Sequence, residues 1–191
     1  MIGPVSSGSR LRRPIPDFDG LALYTAMDAR RVADGLSWQG VADAIWSLSS
    51  ELSTERNARG LPNHPIVHAT LRGIAERGDT SCQHALFILR WLQRTPESFL
   101  EGAGLEAGCA LPACGPDRRP RWDLRALYEA MNAQRGERGL TWTVTAEALG
   151  CTPSQVTGLK NAKFATGMIL AMRITQWVER PAAHFIYPAR W

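Results

Sequence analysis

The sequence predicts an all-α fold: two tandem helical domains joined by a Gly/Pro-rich linker. Three observations predict it. Segments of the 191-residue chain recur at a fixed offset. Apolar residues fall at helical spacing, with Asp, Ser or Thr in front and Gly behind. No run of alternating apolar and polar residues marks a strand.

The repeat is direct. Leu23-Tyr24-Thr25-Ala26-Met27 returns as Leu127-Tyr128-Glu129-Ala130-Met131, and Gly35-Leu36-Ser37-Trp38 as Gly139-Leu140-Thr141-Trp142, both at an offset of 104. Val41-Ala42-Asp43-Ala44-Ile45 matches Thr145-Ala146-Glu147-Ala148-Leu149 at the same offset. Further on, His64-Pro65 aligns with Thr152-Pro153 and Leu71-Arg72 with Leu159-Lys160, now at 88. The drop of 16 reads as an insertion in the first copy near 47–63. Trp91, Arg94 and Phe99 align with Trp177, Arg180 and Phe185 at an offset of 86. The division that follows is a basic tail over 1–16, read as disordered. A first domain covers 17–100, a linker 101–121, a second domain 122–186 and a tail 187–191.

In the second copy Asp123 is expected to cap a helix whose apolar face is Leu124, Leu127, Tyr128 and Met131. Gly136 and Gly139 close it. Thr141 opens a short helix ending at Leu149, with Gly150 as the stop. Thr152 opens a third, with Pro153 at the first helical position and Gln155 completing a capping box. Val156 and Leu159 point inward on it. Ser154, Gln155, Thr157, Gly158, Lys160 and Asn161 make a mostly polar outer face. After a loop at 163–166, a fourth helix buries Leu170, Ile174, Trp177 and Val178, and Pro181 stops it. The first copy follows the same plan, with Asp17 and Asp19 as capping residues and a third helix expected from Pro65 past Arg72.

Composition narrows the function. Lys and Arg number 22 against 18 Asp and Glu, a net charge of +4. Residues 1–100 carry a net +1 and residues 101–191 a net +3, which points weakly to a polyanionic partner for the second half. Arginine outnumbers lysine 20 to 2, and arginine also binds phosphate bidentately. Four cysteines are too few for a disulfide scaffold of this length. No apolar run reaches the ~20 residues that span a bilayer, and no secretory h-region opens the chain, so the expected compartment is the cytoplasm. There is no phosphate-binding glycine loop, nucleophile elbow or catalytic constellation, so no enzyme and no cofactor are expected. His64 and His68 stand four apart with Cys82 and His84 downstream, but the second copy has no counterpart, and no metal site is read. Cys109 and Cys114 read as free linker thiols. The Trp38/Trp142 and Trp91/Trp177 pairs read as core rather than as stacking platforms for single strands.

From Gly139 to Ala162 the second copy resembles the lambda-repressor-like, XRE-type helix-turn-helix family. The resemblance rests on Gly139-Leu140-Thr141, Ala146, Leu149-Gly150-Cys151-Thr152 and Val156. It departs at Pro153, Gly158, Lys160 and Thr145, where the family tends to carry Gln, a long polar residue, Glu and Leu. The first copy is a degenerate version. The resemblance implies a sequence-specific transcriptional regulator binding double-stranded DNA, its third helix in the major groove. Gln155 would pair with adenine, and Ser154 and Thr157 would touch bases or phosphates. Lys160, Lys163 and Arg135 would neutralise phosphates, and Thr152, Pro153, Gly158 and Asn161 complete that surface. First-copy equivalents are His64, His68, Ala69 and Arg72. Two linked copies would mimic a symmetric dimer; a homodimer or a protein partner through the first copy is the other arrangement considered. The rival reading is a protein-interaction module that keeps the helical fold without reading DNA.

Overall fold

The computed structural model describes residues 15–102, 109–161 and 166–190. Its helices are α1 (Gly20–Ala33), α2 (Trp38–Ser47), α3 (Ser50–Ala58), α4 (His68–Arg77) and α5 (Cys82–Leu92) in the first copy. The second copy has α6 (Leu124–Glu137), α7 (Trp142–Ala148), α8 (Pro153–Gly158) and α9 (Met168–Trp177). A 3-10 turn follows α5 at Pro96–Phe99, extends α8 over Leu159–Asn161, and follows α9 at Ala182–Phe185.

The expected caps form in pairs. Asp19 Oδ1 accepts from the Ala22 N–H and Asp123 Oδ1 from the Ala126 N–H, both at 2.8 Å. Ser37 and Thr141 cap α2 and α7 in the same way. Gly35 and Gly139 take the left-handed backbone between these helices, at φ of +64° and +62°. Tyr24 stacks on Trp38 with centroids 5.3 Å apart, and Tyr128 on Trp142 at 5.5 Å. Leu23, Met27, Leu127 and Met131 are fully buried. Thr145, which stands where the first copy has Val41, is also fully buried; its hydroxyl donates to the Thr141 carbonyl at 2.9 Å, so no polar group is stranded.

The two copies share one core around a pseudo-twofold axis. Ser81 and Gly167 face each other in an isolated antiparallel bridge. The Cys82 N–H donates to the Thr166 carbonyl and the Met168 N–H to the Thr80 carbonyl, both at 2.8 Å. Each bond is the other's twofold mate, since 80–82 and 166–168 correspond. Beyond the far ends of α5 and α9 the copies meet again, where Glu97 Oε1 accepts from the Ala182 N–H at 2.7 Å. The two helices therefore run side by side in the same direction. That explains why α5 is buried at Cys82, Ala85, Leu86, Phe87, Ile88, Leu89 and Trp91, far more than a single amphipathic stripe. Burial pushes the Cys82 thiol up to about 12, so it behaves as a small apolar core residue.

The insertion near 47–63 holds α3, which lies against the linker: the Leu52 N–H donates to the Pro116 carbonyl at 3.1 Å. Four sequence expectations are corrected. The third helix of the first copy starts at His68, not Pro65. Ile66 is buried at 3% exposure while the neighbouring Val67 is 47% exposed, which fixes an extended approach to the helix. Matching helix starts and buried pairs (Leu71 with Val156, Ile74 with Leu159) lowers the offset to 85, so Thr152 corresponds to Val67 and not to His64.

The third correction concerns the linker, whose end forms β1 (Arg119–Trp122). The fourth concerns the tail, which contributes β2 (Ile186–Ala189); the strands pair antiparallel with Trp122 opposite Ile186 and Pro120 opposite Pro188. The Asp123 N–H donates to the Phe185 carbonyl at 2.7 Å, which makes Trp122–Ile186 a non-hydrogen-bonded pair. By alternation the two prolines occupy the same kind of position and remove no ladder bond. Four-residue strands are too short to show alternation in sequence, which is why this ribbon escapes the pattern. Its first-copy counterpart is the single bridge Phe18–Leu100.

Arginines hold the linker, beside the half-buried Leu111 that packs against the core. Arg90 donates to the carbonyls of Leu48 and Cys114 at 2.7 and 2.8 Å. Arg119, 2% exposed, donates to Asn63 Oδ1 at 2.6 Å and Ser53 Oγ at 2.9 Å, with its guanidinium 3.9 Å from the Trp46 ring centre. Burial, followed by the nearby arginines, lowers its pKa to about 10, so it stays charged at neutral pH.

Candidate nucleic-acid interface

α8 is held from below and open from above. Val156 and Leu159 are 0% and 2% exposed, while Thr152, Pro153, Ser154, Gln155, Thr157, Lys160 and Asn161 are exposed. Gly158 is half-buried, beside a cleft of about 590 Å³ whose walls include Ser154, Gln155, Gly167, Arg173 and Asp79. Asp79 belongs to the loop after α4, so α8 lies next to the seam between the copies. Asp79 Oδ1 also accepts from the amides of Met168 and Ile169 at 3.1 and 3.3 Å, capping α9 from the opposite copy.

The capping box is complete, and it changes what Gln155 offers. Thr152 Oγ1 accepts from the Gln155 N–H at 3.3 Å, and Gln155 Oε1 accepts from the Thr152 N–H at 2.8 Å. The Thr152 hydroxyl lies 3.0 Å from the same oxygen. Bidentate pairing with adenine uses both ends of an amide. With its oxygen engaged, Gln155 presents only its N–H donors until the cap opens. The Thr157 hydroxyl donates to the Pro153 carbonyl at 2.9 Å. Ser154 Oγ lies 3.1 Å from Thr152 Oγ1.

Arg135 is placed differently from the expectation. Its guanidinium donates to Asn132 Oδ1 and to the Leu140 carbonyl at 2.7 Å, and lies 4.6 Å from the Trp142 ring centre. Arg31 does the same with Asp28, Leu36 and Trp38. Arg135 is thus a brace for the turn between α6 and α7. Lys163 lies outside the described residues.

Arg173 and Asp17 are the residues that sequence reading missed here. Arg173 Nη1 donates to the Leu149 carbonyl at 3.1 Å, at the turn into α8. Its Nε and Nη2 bind the Asp17 carboxylate at 2.5 and 2.9 Å. Asp17 is therefore an ion-pair partner of the second copy, not a cap. The bonded guanidinium holds its carboxyl below the usual range. Cys151 lies half-buried under this turn, and burial raises its thiol.

In the first copy His68, Ala69 and Arg72 are exposed on α4, and His68 Nδ1 is 3.1 Å from Gln39 Oε1. His64 precedes the helix at a φ of +39° and is not part of its face. Among the described residues no three His, Cys, Asp or Glu side chains gather as metal ligands, and no helix is long and apolar enough to cross a membrane. Comparison with protein-family profiles, with characterised proteins and with solved structures finds no match.

Proposed function

We propose that the chain is a sequence-specific DNA-binding transcriptional regulator that presents α8 to the major groove. One observation carries the reading: the polar face of α8 stands open to solvent on a helix anchored through Val156 and Leu159. Ser154, Thr157 and the Gln155 N–H donors then face base edges or the backbone, and Lys160 and Asn161 flank them. The turn below is held by Arg173, so the helix is presented by a rigid support. Selection from random duplex DNA with the whole chain tests it. A defined motif is expected. Gln155→Ala should relax one position of it by about 1–3 kcal/mol, and Lys160→Ala should weaken all sequences and flatten the salt dependence.

A second reading rests on Val67, 47% exposed at the head of α4 next to exposed Ala69. That end of the first copy suits a protein partner better than a phosphate. Under this reading selection enriches no sequence, and a partner's binding is sensitive to Val67→Asp.

A further inference from the structure

Resting on the DNA-reading proposal, we infer that one chain acts as a covalent pseudo-dimer. It reads two inverted half-sites of unequal sequence, at a spacing fixed by the Ser81–Gly167 seam. The paired bonds Cys82 N–H to Thr166 and Met168 N–H to Thr80, both 2.8 Å, make the seam symmetric. Each outward helix precedes the seam closely in sequence: α4 ends at Arg77, before Ser81, and the turn that extends α8 ends at Asn161, before Gly167. The cleft that joins Asp79 to Ser154 and Gln155 shows that the α4–α5 loop and α8 meet at this end of the molecule. A twofold relation between α4 and α8 matches the local dyad of duplex DNA, so the half-sites run in opposite directions.

No second chain is required. α5 and α9, the elements that flank the axis, already bury each other inside one polypeptide. The half-sites differ because the outward residues differ. α8 offers Ser154, Gln155, Thr157, Lys160 and Asn161, whereas α4 offers His68, Ala69, Arg72 and Glu76. Glu76 stands at the place of Asn161, and Arg72 at the place of Thr157, so the two helices offer different charge patterns to their half-sites.

The test is selection with the full chain, followed by native mass spectrometry of the enriched duplex. One chain per duplex and two unlike inverted half-sites are expected. Arg72→Ala should lower affinity about tenfold through one half-site only. Inserting half a helical turn between the half-sites should cost about as much, because the seam cannot follow. A single enriched half-site, a direct repeat, two chains per duplex, or indifference to the insertion overturns the pseudo-dimer while leaving α8 as a reader. No enrichment overturns the DNA-reading proposal itself, and this inference with it.

Discussion

The route from second to third helix differs between the copies, although both start from the same scaffold. In the second copy α7 passes to α8 through Leu149–Thr152, with Gly150 at a φ of +63° and a reciprocal polar cap. In the first copy the same journey runs through α3 and enters α4 at Val67, which makes no side-chain cap bond. The scaffold beneath is unchanged: Leu23 and Leu127, Met27 and Met131, the Tyr–Trp stacks, and the Arg31 and Arg135 braces. The inside is held to one pattern by packing, and the outside of the third helix is free to differ.

The largest effect that would break this comparison comes from the shared core. Met27→Ala and Met131→Ala should each cost about 2–5 kcal/mol, in one cooperative unfolding transition by calorimetry. Two separate transitions would show that the copies are independent domains. Gly20→Ala is next. A Cβ at Gly20 would collide with the Gly78 carbonyl oxygen, whereas the second copy carries Leu124 at the equivalent place. A loss of about 1–3 kcal/mol in denaturant melts is expected. A neutral result would mean that the α1–α4 contact yields without cost and does not set the two copies apart.

Two smaller effects sharpen the comparison. Asp17 has a lowered pKa when folded, so the Arg173 pair contributes above the unfolded value of about 4 and is lost as pH falls through the folded value. The pair is partly exposed, 26% for Arg173 and 42% for Asp17, so screening keeps its worth within about 1 kcal/mol. Asp17→Asn should flatten the acid limb of the stability profile by that much; an unchanged limb would remove the pair from the account. Smallest is Thr145→Val, which copies Val41 into the second half. It removes a donor without stranding an acceptor and should stay within about 1 kcal/mol of wild type.

Much of this was legible in the sequence. The repeat located the helices, Asp19, Asp123 and Thr141 announced their caps, and the Thr152–Gln155 box announced α8. What was hidden depends on partners far along the chain. β1 finds β2 some 67 residues later, and Arg119 finds Asn63. The Pro65–Pro153 match misled because two prolines aligned by chance, whereas the helix phase is set by which side chains reach the core. Within the site, the spacing that revealed the capping box also implied that Gln155 is engaged by it.

The most direct measurement is a resonance-by-resonance titration of isotope-labelled protein with the duplex that selection enriches. The account predicts the largest amide shifts over 152–161, with a second set on α4 from His68 to Arg77. Shifts confined to α3 and the β ribbon, with α8 silent, would contradict it.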